Sequence, residues 1–212
     1  MGGIIKVRSG GVSEYEEKRS VFIAQVYPVN SEQEANAYIE AARKKYWDAR
    51  HNCYAFVIGD NNECSRCSDD KEPAGTAGKP ILEVINGMSV HNCLVIVTRY
   101  FGGTLLGTGG LVRAYTRAAK DAMCNSSLVE EVLGVQYLIT TDYNGMGRIR
   151  SMEEEYGFCV VNTEYSDVVV MTVNMEAADA EKICAAITDN TNGRARIERL
   201  RDLPIEKAYE SD

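Results

Sequence analysis

Residues 92–103 read NCLVIVTRYFGG, a continuous apolar run closed by a Gly pair. A run of this length bounded by turn residues is the pattern of a fully buried strand. It is the clearest such strand in the chain, so the rest must supply a core around it. NCYAFVIG at 52–59 is a second apolar strand, and RSVFIAQVYPV at 19–29 a third, ended by Pro28. Between the first two lies SDDKEPAGTAGKP (68–80), a stiff polar stretch with no large apolar side chain.

Helices alternate with these strands. Ser31 followed by Glu34 is a capping box, and Ala35, Ile39, Ala42 and Tyr46 continue at helical spacing towards a basic end at Arg43, Lys44, Lys45 and Arg50. ECSRCSDD (63–70) reads as a short paired strand, and ILEVINGM as part of a helix. GTGGLVRAYTRAAKDAM (107–123) is a Gly-led helix carrying Arg113, Arg117 and Lys120. No element is assigned before Arg19.

The composition turns acidic after this helix. Residues 1–133 hold 15 basic and 16 acidic side chains, whereas 134–212 hold 8 and 15. The later segment reads as strand 131–142, helix 144–157, a strand pair over 158–175 turning at Tyr165–Asp167, helix 176–193 and strand 195–204. That β-α-β-β-α-β order is the ferredoxin-like, split βαβ arrangement. The predicted class is α+β with two domains, 1–130 and 131–212, and a protease-sensitive junction near 124–134.

A net charge of −8 argues against broad nucleic-acid binding and confines any such affinity to a local patch. No apolar run is long enough to span a membrane, and the N-terminus lacks the pattern of an export signal. Seven cysteines are widely spread, and those at 53, 93, 124, 159 and 184 sit in apolar or mixed patterns. That usage fits a reducing cytoplasm.

Two nucleotide motifs fail. For a P-loop ending at Gly78-Lys79, residue 73 would have to be Gly and is Pro73, while Pro80 stands in the Ser/Thr position. In GTGGLV the final Gly of G-x-G-x-x-G is replaced by Val112. What remains is two Gly-rich helix starts, around Gly78 and around Gly107, Gly109 and Gly110, where free N–H groups favour an anion. Lys79, Arg99 and Arg113 would add charge; the bland alternative is tight turns and close packing. His51, Cys53, Cys64 and Cys67 would make four zinc ligands, but a single C-x-x-C with an in-strand His-x-Cys fits a closed site poorly, so no metal is expected. Asp69 and Asp70 could bind magnesium or serve as acid and base, but adjacent residues on a strand face opposite ways, so the favoured reading is that one of them caps or braces the loop through backbone N–H groups.

SDDKEPAGTAGKPIL together with VIVTRYFGGTLLGTGGLVRAY closely resembles the Impact/YigZ family, and FIAQVYPV and DARHNCYAFVIG extend the likeness over roughly 18–124. The resemblance implies an N-terminal domain like the second domain of ribosomal protein S5. It also implies a C-terminal domain like one of elongation factor G. Asp69, Asp70, Glu72, Pro73, Gly75 and Thr76 become a signature loop. Gly78, Lys79, Arg99, Gly102, Gly103, Gly107, Gly109, Gly110 and Arg113 become an anion- or RNA-binding face. The implied role is a cytoplasmic, translation-associated protein that binds RNA, the ribosome or a translation factor, without cofactor. Eukaryotic Impact proteins carry an RWD domain in place of the second domain, so their partners do not transfer. An enzyme on a phosphorylated small molecule and a plain protein-interaction module are the competing classes.

Overall fold

The computed structural model describes residues 3–209. It divides into two compact units whose bodies are Ile4–Glu130 and Glu131–Lys207. No helix among the described residues is long and apolar enough to cross a membrane.

The first unit runs β1 (Ile4–Ser9), β2 (Val12–Glu17), β3 (Ser20–Pro28), α1 (Glu32–Lys45), β4 (His51–Ile58), β5 (Cys64–Ser68), α2 (Gly78–Gly87), β6 (Val90–His91), β7 (Cys93–Tyr100) and α3 (Gly107–Cys124). Five strands form an antiparallel sheet in the order β2-β3-β7-β4-β5, while β1 pairs with β6 in parallel. The apolar run of β7 is the centre of that sheet, and every residue from Cys93 to Arg99 is buried. Its alternation feeds two cores. Val95 and Val97 pack with Phe22, Ala24, Cys53 and Ala55 against α2 and α3. Leu94 and Ile96 pack with Phe56 against Ala35, Ile39 and Ala42 of α1. The capping box forms with one change: Ser31 Oγ accepts from Glu34 N at 3.2 Å, but Glu34 Oε2 accepts from Asn30 N rather than from Ser31.

The second unit is built from β8 (Ser127–Thr141), α4 (Tyr143–Tyr156), β9 (Cys159–Tyr165), β10 (Val169–Glu176), α5 (Ala180–Asn190) and β11 (Arg196–Ala208). Its strand order is β11-β8-β10-β9, that of a split βαβ unit. Asp142 caps α4 by accepting from Gly145 N at 2.6 Å, and Gly157 ends it in the left-handed region at φ 70°. Ile139, Met171 and Val173 of the sheet meet Ile149, Met152, Ile183 and Ile187 of the helices.

Three expectations change. Residues 4–17, read as having no element, form β1 and β2; their mixed polar and apolar residues suit strands buried on one side. Cys124 and Cys159, read as small hydrophobes in apolar or mixed patterns, are exposed, Cys124 at the last position of α3 and Cys159 at the start of β9 on the side opposite buried Val160. The composition change at 130 falls inside β8, a continuous strand, and not in a linker. Backbone already held in a strand is a poor protease substrate. Limited digestion with Glu-C is therefore expected to spare Glu130 and Glu131 while exposed loops are cut, and early cleavage at either residue would show that the strand opens in solution.

Candidate functional site

The polar stretch at 68–80 is held by its own carboxylates. Asp69 Oδ2 accepts from Gly75 N at 2.8 Å, and its Oδ1 accepts from Ala77 N at 3.0 Å and Gly78 N at 2.8 Å. Asp70 Oδ2 accepts from Asn52 N of β4 at 2.7 Å. Glu72 N bonds Asp69 O, and Thr76 bonds Pro73 O through both N and Oγ1, so two tight turns follow one another. Burial pushes the Asp69 carboxyl up, but the N–H groups of Gly75, Gly78 and Ala77 outweigh it and hold it below the usual carboxylate value. Gly78 is required by packing, since a Cβ there would lie 2.7–2.9 Å from the backbone of Ser68.

The start of α2 is thus occupied by an internal anion. The expectation that Gly75 to Pro80 would offer N–H groups to an outside phosphate is corrected here, because Asp69 already takes the donors of Gly75, Ala77 and Gly78. Lys79 is exposed on α2, its Nζ 3.9 Å from Glu83.

Arg99 also has a different post from the phosphate fork expected of it. Its Nη1 lies 2.6 Å from Glu72 Oε1, with the two side chains 6% and 4% exposed. Nη2 donates to Ser20 Oγ at 3.3 Å, and the guanidinium lies over the rings of Phe22 and Phe101. Arg99 Nε is buried without a partner. Tyr115 OH donates to Glu72 Oε1 at 2.9 Å, and the Cys53 thiol lies 3.3 Å from that hydroxyl. Burial, with Cys53 and Glu72 adding to it, pushes the Tyr115 hydroxyl far above its ordinary range, so it stays a donor. His51 Nδ1 is 2.8 Å from the carbonyl of Asp70, which can only accept, so this nitrogen carries a proton. Its Nε2 faces Glu72 Oε1 at 3.8 Å.

His51, Glu72 and Arg99 floor a cleft of about 320 Å³ whose walls include Arg50, Pro73, Phe101, Leu105 and Thr108. The cleft opens on the start of α3. Leu106 stands at the cap position with no side-chain hydrogen bond, and the first turn carries no acid, so the N–H groups of this turn receive no side-chain cap. Gly102 is fixed structurally: its N–H donates to Ser20 Oγ, and a Cβ would strike the backbone of Arg19 at 2.0 Å. Gly103 lies in the loop before the helix, while Gly107, Gly109 and Gly110 form its first turn. Arg113 and Gly110 line a neighbouring cleft of about 250 Å³ with Lys18, Glu17 and Arg117, and Arg117 is bound to Asp121.

The two Gly-rich starts are therefore unequal, one plugged and one open. The structure brings Gly107, Gly109, Gly110 and Arg113 together; Lys79 and Arg99 do not join them as free cations. The four candidate zinc ligands also disperse: Cys64 Sγ bonds Glu32 Oε1 at 2.9 Å, Cys67 is exposed, and Cys53 and His51 bond inside the fold. Among the described residues no three His, Cys, Asp or Glu side chains converge as a metal site. Sequence reasoning missed Phe101 and Leu105 as cleft walls. Its only signal was an apolar pair, Leu105–Leu106, set between glycines, and Leu105 is 83% exposed.

A family described as the Impact N-terminal domain matches residues 18–123, and one described as a domain of unknown function, DUF1949, matches 139–194. The Impact family member YvyE of Bacillus subtilis is 35% identical over 95% of this chain and 93% of its own length. The Impact family member YigZ of Escherichia coli is 33% identical over 86% of this chain and 90% of its own length. A crystal structure of a protein described as hypothetical matches with a TM-score of 0.60 at 30% identity, covering 95% of this chain and 98% of that one. With both halves matched in order, and full-length relatives above 30% identity, this chain belongs to the Impact/YigZ family.

Proposed function

We propose that this chain is a cytoplasmic, translation-associated protein that binds RNA, free or on the ribosome, at the open start of α3. One observation carries the reading: an 18-residue helix begins without a side-chain cap in a cleft that also holds Arg50 and His51. Aligned peptide dipoles and free N–H groups favour a phosphate there. Phosphate contacts of this kind position a nucleic acid without reading its sequence. Arg113 and Lys18 on the neighbouring side extend the same cationic edge. The strand order of the second unit supports its kinship with a C-terminal domain of elongation factor G, and family membership supports a first unit like the second domain of ribosomal protein S5.

The test is binding of a labelled RNA oligonucleotide and of purified ribosomes across a salt series. Affinity should fall steeply with salt, as each neutralised phosphate releases counterions. Arg50→Ala and Arg113→Ala should each weaken binding and lower the salt slope by about 1. Lys79→Ala should leave binding unchanged, since its helix start is already filled. If neither arginine substitution alters binding, the reading fails.

A second reading has its own observation. His51 lines the cleft with one ring nitrogen fixed by a carbonyl and the other 3.8 Å from Glu72 Oε1, an orientation held as that of a general base is. That arrangement suits an enzyme acting on a phosphorylated small molecule. Thermal stabilisation by a nucleoside monophosphate, with no response to RNA, would select it.

A further inference from the structure

The only tryptophan of the chain, Trp47, is 82% exposed. An indole is among the largest apolar surfaces a protein can bury, and one left in water on a folded domain needs a reason. Its position supplies one. Trp47 lies in the short turn between α1 and β4, and this turn is pinned at several points. Ala49 N donates to Tyr46 O at 3.0 Å, Tyr100 OH donates to Asp48 Oδ1 at 2.9 Å, and Arg50 N donates to Arg99 O at 3.3 Å. The ring is therefore presented on a fixed support.

Basic residues flank it in the chain. Lys44 and Arg50 are exposed, and Lys45 Nζ lies 4.8 Å from the ring of Tyr46. Glu40 pairs with Arg43 at 2.7 Å, and Asp48, which accepts from Tyr100 OH, keeps its charge, so Lys44, Lys45 and Arg50 leave the turn net positive. The Arg50 guanidinium lies 5.7 Å over the ring of Phe101, which is itself 39% exposed on the wall of the cleft. Arg50, three residues after Trp47 in the same turn, thus joins that turn to Phe101 and to the cleft at the open start of α3. Helix polarity alone would account for basic residues in the last turn of α1; it does not account for an exposed indole beside them.

We infer that Trp47 is a base-stacking platform, so that the ligand of the α3 cleft is a single-stranded RNA whose chain continues across the α1–β4 turn. This rests on the RNA reading above and specifies it. A flat π face flanked by lysine and arginine is how unpaired bases and their phosphates are held together, whereas bases in a duplex are already stacked and closed to it. The occupant follows from charge as well: this turn is net positive on a chain of net charge −8.

The single tryptophan makes the inference directly measurable. The full chain is titrated with an unstructured oligouridine, with binding followed by anisotropy of a labelled strand and contact by Trp47 emission excited at long wavelength. Emission should quench in step with the anisotropy and saturate at the same concentration. Trp47→Ala should weaken binding about tenfold, while Trp47→Phe should keep most of the affinity. A matched RNA duplex should not quench. Because Trp47 is 82% exposed, the alanine variant should unfold at nearly the same denaturant concentration as the parent, which separates lost contact from lost fold. Anisotropy that reports binding with emission and the alanine variant unchanged overturns the role of Trp47 and leaves the RNA reading standing. A duplex that quenches as well as the single strand overturns the stacking mode. No anisotropy change with either strand removes the RNA reading, and this inference with it.

Discussion

Glu72→Ala should destabilise the first unit by about 3–5 kcal/mol, because it strands a buried guanidinium. Arg99 and Glu72 are 6% and 4% exposed at the side chain, and their oxygen and nitrogen lie 2.6 Å apart. A guanidinium keeps its charge over the working pH range, so removing Glu72 leaves charge in the core with only Ser20 Oγ and two ring faces to answer it. Tyr115 OH loses its acceptor in the same step. Urea unfolding should show a lower midpoint with the slope preserved. Glu72→Gln, which retains an acceptor, should cost less. Replacing both partners, with Glu72→Leu and Arg99→Met together, should recover the part of the loss that comes from the stranded charge, since a buried pair exchanged for apolar side chains is close to neutral, but not the part that comes from Tyr115 OH. A Glu72→Ala loss below about 1 kcal/mol would mean that the pair is hydrated in solution. Arg99→Ala, by the same geometry, should lower the melting temperature while leaving RNA affinity unchanged wherever the variant remains folded.

Asp69 should show the second largest effect, and its signature is pH. One carboxylate serves the N–H groups of Gly75, Ala77 and Gly78, so Asp69→Ala should cost about 2 kcal/mol, the upper end for a helix cap. Its folded carboxyl sits below the ordinary value: burial raises it, and the three amide donors lower it further. A depressed folded value means that the stabilisation is complete above the unfolded value, about 3.9, and is lost as pH falls through the lower folded one. The stability difference between the parent and Asp69→Asn should therefore be constant near neutrality and shrink below about pH 4. Other carboxylates titrate alike in both proteins and cancel. A difference that stays constant down to pH 2 would show that the cap does not depend on ionisation.

The element order was legible because its signals are local. The apolar run of β7, the Ser31–Glu34 cap, and Gly157 at the end of α4 each depend on residues within one turn or strand of one another. The split βαβ order of the second unit was legible for the same reason. The two early strands were not, because Ile4–Ser9 and Val12–Glu17 mix exposed and buried positions, and they carry too little apolar periodicity to stand out. The division near Glu130 showed as a change in charge, but composition does not reveal that one strand runs through it.

The candidate site divides in the same way. By itself the sequence determined that two Gly-rich helix starts exist, that one of Asp69 and Asp70 braces a loop, and that any affinity for anions must be local. Tertiary structure alone decided which helix start is open. Asp69 reaches the start of α2 because the loop folds back over six to nine residues, and Arg99 meets Glu72 across 27 positions because β7 lies beneath that loop. Both pairings satisfy buried polar groups, and burial is a property of the packed chain. The same lysines, arginines and glycines would read identically in sequence whether their donors faced solvent or one another; only the fold assigns the partners.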